Sequence, residues 1–241
     1  MRYVSIFLLM ILFPGCKITE TITINPDGSG DLQVVQLRDE NSYMQLAREE
    51  YAKENIVQDT SFVFKEYIEK YNETFLKYKP EEQELFQKYA NVKVHIKNSS
   101  FEKEFRTVLS LHFNQVSEIP DVYKTENYAD DIKYNYALTA EKHYYKIDYA
   151  FDGNVFKRVV SITNTEELQK AKDQYEKLKP VYGNLNLTNL YVLKYSFPKK
   201  IKSVSNDKAS ISTDKKSLIL ELQLAECLRD PESTNLEVVL E

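Results

Sequence analysis

The sequence predicts an α+β fold: a mainly antiparallel sheet built from hairpins, with several amphipathic helices inserted between N- and C-terminal strand blocks. Three observations carry this. Apolar residues alternate with period two towards both ends of the chain. Clusters of Asn, Asp, Gly and Pro divide those runs at hairpin spacing, and aromatic and aliphatic residues between them recur at helical spacing.

Taken in order, Ile18, Ile22 and Ile24 are separated by Thr and Glu, which gives a strand with one wet face. Asn25-Pro26-Asp27-Gly28-Ser29-Gly30 is a turn cluster, and residues 32–37 resume as the second arm of a hairpin. This loop half-matches a calcium loop, with oxygen-bearing residues at Asn25, Asp27, Ser29 and Asp31 and Gly30 at the bend. Position twelve is Gln36, whose neutral amide cannot replace a bidentate carboxylate, so a turn is expected there and no metal.

Ser42 with Gln45 predicts a capping box, followed by a helix presenting Tyr43, Leu46, Ala47 and Tyr51 on one face. After a short extended piece at residues 62–64, Phe64, Tyr67, Ile68, Tyr71, Phe75 and Tyr78 recur at helical spacing. Pro80 opens a further helix whose buried face is Leu85, Phe86 and Tyr89. Stripes of this kind point to core rather than to a ligand box. From Val92 the period returns to two through Val94 and Ile96, and residues 105–113 form the next strand. Residues 116–131 are a loop or a short helix. Asp152-Gly153-Asn154 joins residues 143–151 to Val155–Ile162 as a hairpin. Asn164 with Glu167 caps a helix that Pro180 and Gly183 end, and the remainder is mostly extended: residues 190–197, Ile201–Val204, residues 217–222 and Leu236–Leu240.

The N-terminus carries a different kind of signal. Arg2 precedes an apolar run at residues 4–13, broken only by Ser5, and Pro14 and Gly15 follow. Ten residues rise about 15 Å as a helix, roughly half a hydrocarbon core, so residues 1–15 read as a removable export signal. Phe13-Pro14-Gly15-Cys16, with Leu12 one place earlier than the usual leucine, looks like the lipobox read by the lipoprotein peptidase. Cleavage before Cys16 and acylation of its thiol with palmitate-type chains are expected, each buried methylene contributing about 0.8 kcal/mol to anchoring. An ordinary secretory signal with a chance cysteine is the alternative. The mature chain, residues 16–241, is read as a single α+β domain, with two subdomains divided near residues 123–132 as the alternative.

Loss of Arg2 takes the net charge from −5 to about −6, which argues against a nucleic-acid partner and against electrostatic adhesion to anionic lipid. With Cys16 acylated, Cys227 is the only remaining thiol; no intramolecular disulfide can form, and Cys227 reads as a small buried apolar residue. The 18 tyrosines could furnish a sugar- or lipid-binding surface, but the absence of Trp weakens the sugar reading and favours tyrosines packed on half-buried strands and helices. His95, His112 and His143 each stand alone, without zinc-ligand spacing. There is no phosphate loop, dinucleotide fingerprint or serine elbow, and Glu49-Glu50, Glu81-Glu82 and Glu166-Glu167 belong to solvated helix faces. No catalytic, cofactor or metal residue is predicted, and the chain is expected not to be an enzyme.

Cys16, the strand at residues 18–24, the Asn25–Gly30 turn, Pro80-Glu81-Glu82-Gln83 and the ending from Phe197-Pro198-Lys199-Lys200-Ile201 through Lys216-Ser217-Leu218 together resemble uncharacterised envelope lipoproteins of the Bacteroidota. The hairpin and the proline-containing C-terminal strand also resemble the LppM-type lipoprotein domain of actinobacteria, which is associated with lipid binding. The resemblance implies a lipid-anchored envelope protein without catalytic residues to carry over. Lys17-Ile18-Thr19-Glu20 supplies one acid where a surface-export signal would have a cluster, so the periplasmic face of the outer membrane is expected, with surface exposure as the alternative. Three roles follow, in order: a binding or assembly domain presented to another envelope component; a lipid or glycan binder with Tyr67, Tyr71, Tyr144 and Tyr145 in a groove; and a hydrolase that gathers acids from distant positions.

Overall fold

The structure is a computed structural model and describes residues 16–182, 185 and 187–241; the expected export signal, residues 1–15, and Gly183 lie outside these. The fold is α+β, as the sequence predicts. β1 (Cys16–Ile24) and β2 (Gly30–Arg38) form the first hairpin, and α1 (Glu40–Ala47) follows. A 3-10 turn at Arg48–Lys53 leads to β3 (Val57–Val63) and to helices α2 (Phe64–Lys70), α3 (Asn72–Phe75) and α4 (Pro80–Gln87). β4 (Lys93–Ser99) and β5 (Glu104–Phe113) make a second hairpin. After 3-10 turns at Val116–Glu118 and Val122–Lys124 come α5 (Thr125–Tyr134) and a third hairpin of β6 (Tyr145–Phe151) and β7 (Val155–Ile162). The chain ends with α6 (Thr165–Tyr182), β8 (Leu190–Ser196), β9 (Ile201–Val204), β10 (Ser210–Ile211), β11 (Ser217–Gln223), α7 (Leu224–Arg229) and β12 (Leu236–Leu240).

Two sheets form where one was expected. The larger has the order β10-β11-β8-β1-β2-β5-β4-β3, and the smaller β6-β7-β12-β9. Neighbours are antiparallel except β1 and β8, which lie side by side in parallel, Lys17 opposite Leu190 and Thr23 opposite Ser196. That pairing places the N-terminal strand inside the sheet, between β8 and β2.

The first turn shows why its residues are what they are. Asp27 Oδ1 accepts from the Ser29 amide at 3.0 Å and the Ser29 hydroxyl at 2.6 Å, and Gly28 adopts φ +87. A Cβ on Gly30 would stand 2.0 Å from the Thr23 carbonyl oxygen and 2.7 Å from the Phe113 ring, so only glycine fits. Of the residues that half-matched a calcium loop, Asp27 and Ser29 bond each other within this turn, Asn25 donates its side-chain NH2 to the Ser29 hydroxyl, and Asp31 pairs with His112 at 2.9 Å.

Three local expectations are corrected. The N-cap of α1 is Asp39, whose carboxylate accepts from the Ser42 amide at 2.8 Å; Ser42 lies within the helix and is buried. An N-cap side chain reaches the free amide of the third helical residue, which here is Ser42, so the residue three places before it, Asp39, takes the cap. Arg48 then takes φ +50, which ends α1, so Tyr51 lies on the 3-10 turn rather than on the same α-helical face. Finally, α6 continues past Pro180 to Tyr182. The proline falls in the last turn, where the helix gives out within two residues of losing that N–H.

The aromatic stripes are core. Phe64, Phe75, Tyr78, Phe86 and Tyr89 are buried, and Tyr128 of α5 sits edge-on to Phe86 at 5.4 Å and to Tyr89 at 4.9 Å. The Tyr78 hydroxyl, in the turn between α3 and α4, lies 2.7 Å from the carbonyl oxygens of both Asp131 and Tyr136 and donates its proton between them, tying that turn to the end of α5. Among the described residues, no helix is long and apolar enough to cross a membrane.

Candidate functional site, a cavity beside a buried ion pair

Period two puts Ile18, Glu20, Ile22 and Ile24 on one face of β1, and Phe156, Arg158 and Val160 on one face of β7. Both faces are turned inward, so each sheet delivers one charge to the interface between them. Glu20 and Arg158 are fully buried, and Arg158 Nε donates to Glu20 Oε1 at 3.2 Å. Four hydroxyls complete the carboxylate: Tyr149 at 2.9 Å and Tyr195 at 2.5 Å on Oε1, Tyr123 at 2.8 Å and Tyr191 at 3.0 Å on Oε2. Arg158 Nη1 donates to the Thr234 carbonyl and hydroxyl, and Nη2 to the Tyr191 hydroxyl at 2.7 Å. Burial alone would push the Glu20 carboxyl up; the Arg158 charge and the tyrosine hydroxyls outweigh it and hold its pKa below the usual range. A buried charge pair with its donors and acceptors satisfied holds its register, since removing either partner strands the other.

Next to this network a cavity of about 170 Å³ opens between the sheets. Ile18, Gln36 and Thr107 are register neighbours across β1, β2 and β5 and form one wall, with Cys16 at its end. The facing wall comes from residues 121–127, Ala140, Tyr145 of β6, Leu224, Cys227 and Leu228 of α7, and Pro231. Tyr123, Arg158, Tyr191 and Thr234 close the end at the ion pair. An apolar cavity of about 150 Å³ admits benzene, so this one has room for a ring or a short run of methylenes.

The cavity also holds titratable groups. Asp121 Oδ1 is buried and has no hydrogen-bond partner. Burial, only partly opposed by the Lys124 charge and by the Ile147 and Tyr123 backbone amides bonded to the carboxyl, pushes Asp121 up to about 6. Burial and then Asp130 raise Glu126 to about 7. His143 is lowered by burial, and its Nδ1 lies 3.2 Å from the Tyr145 carbonyl. The thiols of Cys16 and Cys227 are each pushed up to about 11, again by burial, so both are protonated at neutral pH and are poor nucleophiles.

Of the residues singled out in the sequence, Cys16 stands at the start of β1 on the cavity wall, and Cys227 is buried on the opposite wall. Tyr145 reaches the cavity; Tyr144 instead donates to the Leu228 carbonyl at 3.2 Å, and Tyr67 and Tyr71 pair with each other on α2. His95 and His112 sit on polar faces with Asp59 and Asp31. Glu20, read as one acid of a surface-export segment, is inside the fold. The polar residues that matter here, Glu20, Asp121 and Arg158, were not identified as a site. For two of them a signal was present: a charge on the apolar face of an alternating strand.

A scan of known protein families finds no match, and a search of curated proteins finds none either. Among solved structures, the chain is similar to the NMR structure of the folded domain of LppM from Mycobacterium tuberculosis, at 10% identity and a TM-score of 0.41, covering 95% of this chain and 92% of that one. At that identity and score the likeness carries no argument about chemistry.

Proposed function

We propose that the chain is a cell-envelope lipoprotein of the Bacteroidota type, held by lipid on Cys16 at the periplasmic face of the outer membrane, whose domain binds an amphiphilic ligand without transforming it. The observation that supports this reading is the cavity: it adjoins Cys16, has apolar walls at Ile18, Ala140, Leu224 and Leu228, and contains an acid oxygen without a partner at Asp121. A ligand with an acyl or ring portion and a hydroxyl or amine donor complements both features. The same cavity favours a small ligand over a protein partner as the first thing to seek.

The test is native mass spectrometry of the protein extracted in mild detergent, together with titration by the fluorescent fatty acid cis-parinaric acid. A lipid adduct and saturable, displaceable probe binding are expected. Ala140→Phe, which projects a ring into the cavity, should abolish probe binding while the circular dichroism spectrum is kept. A chain that carries no adduct and takes up no probe, but co-purifies with a stoichiometric envelope protein, would instead assign it to assembly. Hydrolysis of an ester ligand by the purified chain would refute the non-enzymatic part.

A further inference from the structure

The position of Cys16 has a geometric consequence, which rests on the reading that its thiol is acylated. β1 begins at Cys16 itself: Cys16 is paired with Arg38, and Lys17 with both Leu37 and Leu190. No spacer separates the lipid from the eight-stranded sheet, so the end of the sheet that carries Cys16 must lie against the bilayer. Register identifies the rest of that end. Leu37 is opposite Arg106, Arg106 opposite Lys97, and Ser99 opposite Val57. Ile56 continues the row, its amide donating to the Ser100 hydroxyl at 2.9 Å and its carbonyl accepting from the Ser100 amide at 3.0 Å. With neighbouring strands about 4.8 Å apart, this end extends about 19 Å from β1 to β3.

Large apolar side chains stand in solvent along it. Phe101, in the turn between β4 and β5, is 74% exposed and Val57 73%, and Met44, Ile56 and Leu37 are exposed beside them. These are five of the eleven exposed large hydrophobic residues described, and they share the end that holds the anchor, whereas the others are divided among α3, α5, β7, β10 and β11. Most of the charges nearby are matched within the fold: Arg38 with Glu40 and Glu54, Lys97 with Glu102 and Glu104, Arg106 with Glu104, while Lys103 lies over the Tyr51 ring. An apolar rim whose charges are largely paired within the fold suits insertion among uncharged headgroups rather than attraction to anionic lipid.

We propose that this end of the eight-stranded sheet is a membrane-contact face, in which Phe101, Val57, Ile56, Met44 and Leu37 rest in the headgroup region of the bilayer that receives the acyl chains of Cys16. The chain contains no Trp, so a single introduced one reports without background. Phe101→Trp and, as a control on the far edge, Ile211→Trp are placed in the full lipidated protein and reconstituted into phosphatidylcholine vesicles. Phe101→Trp emission should shift to the blue, and brominated phosphatidylcholine should quench it several-fold more than Ile211→Trp. Intact mass of the same samples reports acylation separately. Acylated protein that floats with the vesicles while Phe101→Trp is quenched no more than Ile211→Trp overturns the contact face and leaves the anchor standing. Unacylated protein whose Phe101→Trp is still quenched does the reverse. Protein showing neither acyl mass nor quenching overturns both.

Discussion

Glu20 and Asp121 both place a carboxylate at the junction of the two sheets, and the fold treats them in opposite ways. Glu20 accepts from Arg158 and four tyrosine hydroxyls, and its pKa is held below the usual range. Asp121 keeps one buried oxygen without a partner, and its pKa is pushed up to about 6. A saturated network has nothing left to offer a ligand and fixes how the sheets meet. An unsaturated acid on a cavity wall is the place where a further donor improves the folded state.

The comparison breaks most easily at Glu20. Glu20→Gln leaves the Arg158 guanidinium buried without a counter-charge and should cost about 3–5 kcal/mol, read as a fall in the urea midpoint at unchanged slope. Replacing both charges, Glu20→Leu with Arg158→Met, should restore much of that loss; a double variant as unstable as the single one would mean that the tyrosine cage, not the charge pair, dominates.

Next in size is Asp121. Its folded-state pKa of about 6 lies above the ordinary 3.8, so the folded protein retains a proton that the unfolded chain releases between those values. Stability on this account is greatest on the acid side of that window and falls as the pH rises through 6. Glu20, held low, contributes in the opposite sense: its share is present above its ordinary 4.5 and is lost as the pH falls through its lowered folded value. On these two groups, denaturation midpoints should therefore peak near pH 4, between the ordinary values of the two acids, and fall from there towards pH 6. Asp121→Asn should raise stability at pH 8 by about 3 kcal/mol and flatten the alkaline limb. An unchanged limb would remove Asp121 from the account. The smallest effect should be Tyr149→Phe, which takes one donor from a carboxylate that keeps the others, at about 1 kcal/mol by thermal or urea denaturation.

Much of the fold could be read from the sequence because its signals are local. Alternation gave β1, β2, β4 and β5; Asp152-Gly153-Asn154 marked the third hairpin; Pro80 marked the start of α4. The division into two sheets and the parallel β1–β8 pair could not be read, because Lys17 and Leu190 are brought together by topology and nothing near either residue records the other. At six residues, α7 is too short for a helical period, so Cys227 gave no sign of lining a cavity. Glu20 and Arg158 are different: each interrupts an apolar face, between Ile18 and Ile22 and between Phe156 and Val160, and opposite charges in core-facing positions can be paired on paper. Asp121 lies just ahead of a 3-10 turn in an irregular stretch, where no periodicity separates an inward from an outward position.

The lack of a spacer at Cys16 also bears on the order of events in the life of the chain. An enzyme that cuts before Cys16 or acylates its thiol must hold these residues extended in its own active site, while the finished sheet holds them paired from Cys16 onward, between β2 and β8. Under the proposed lipidation of Cys16, processing and folding would compete for one strand, and processing would have to come first. The lipid would be attached to an unfolded chain, and only afterwards would β1 take its place and the sheet close behind its own anchor.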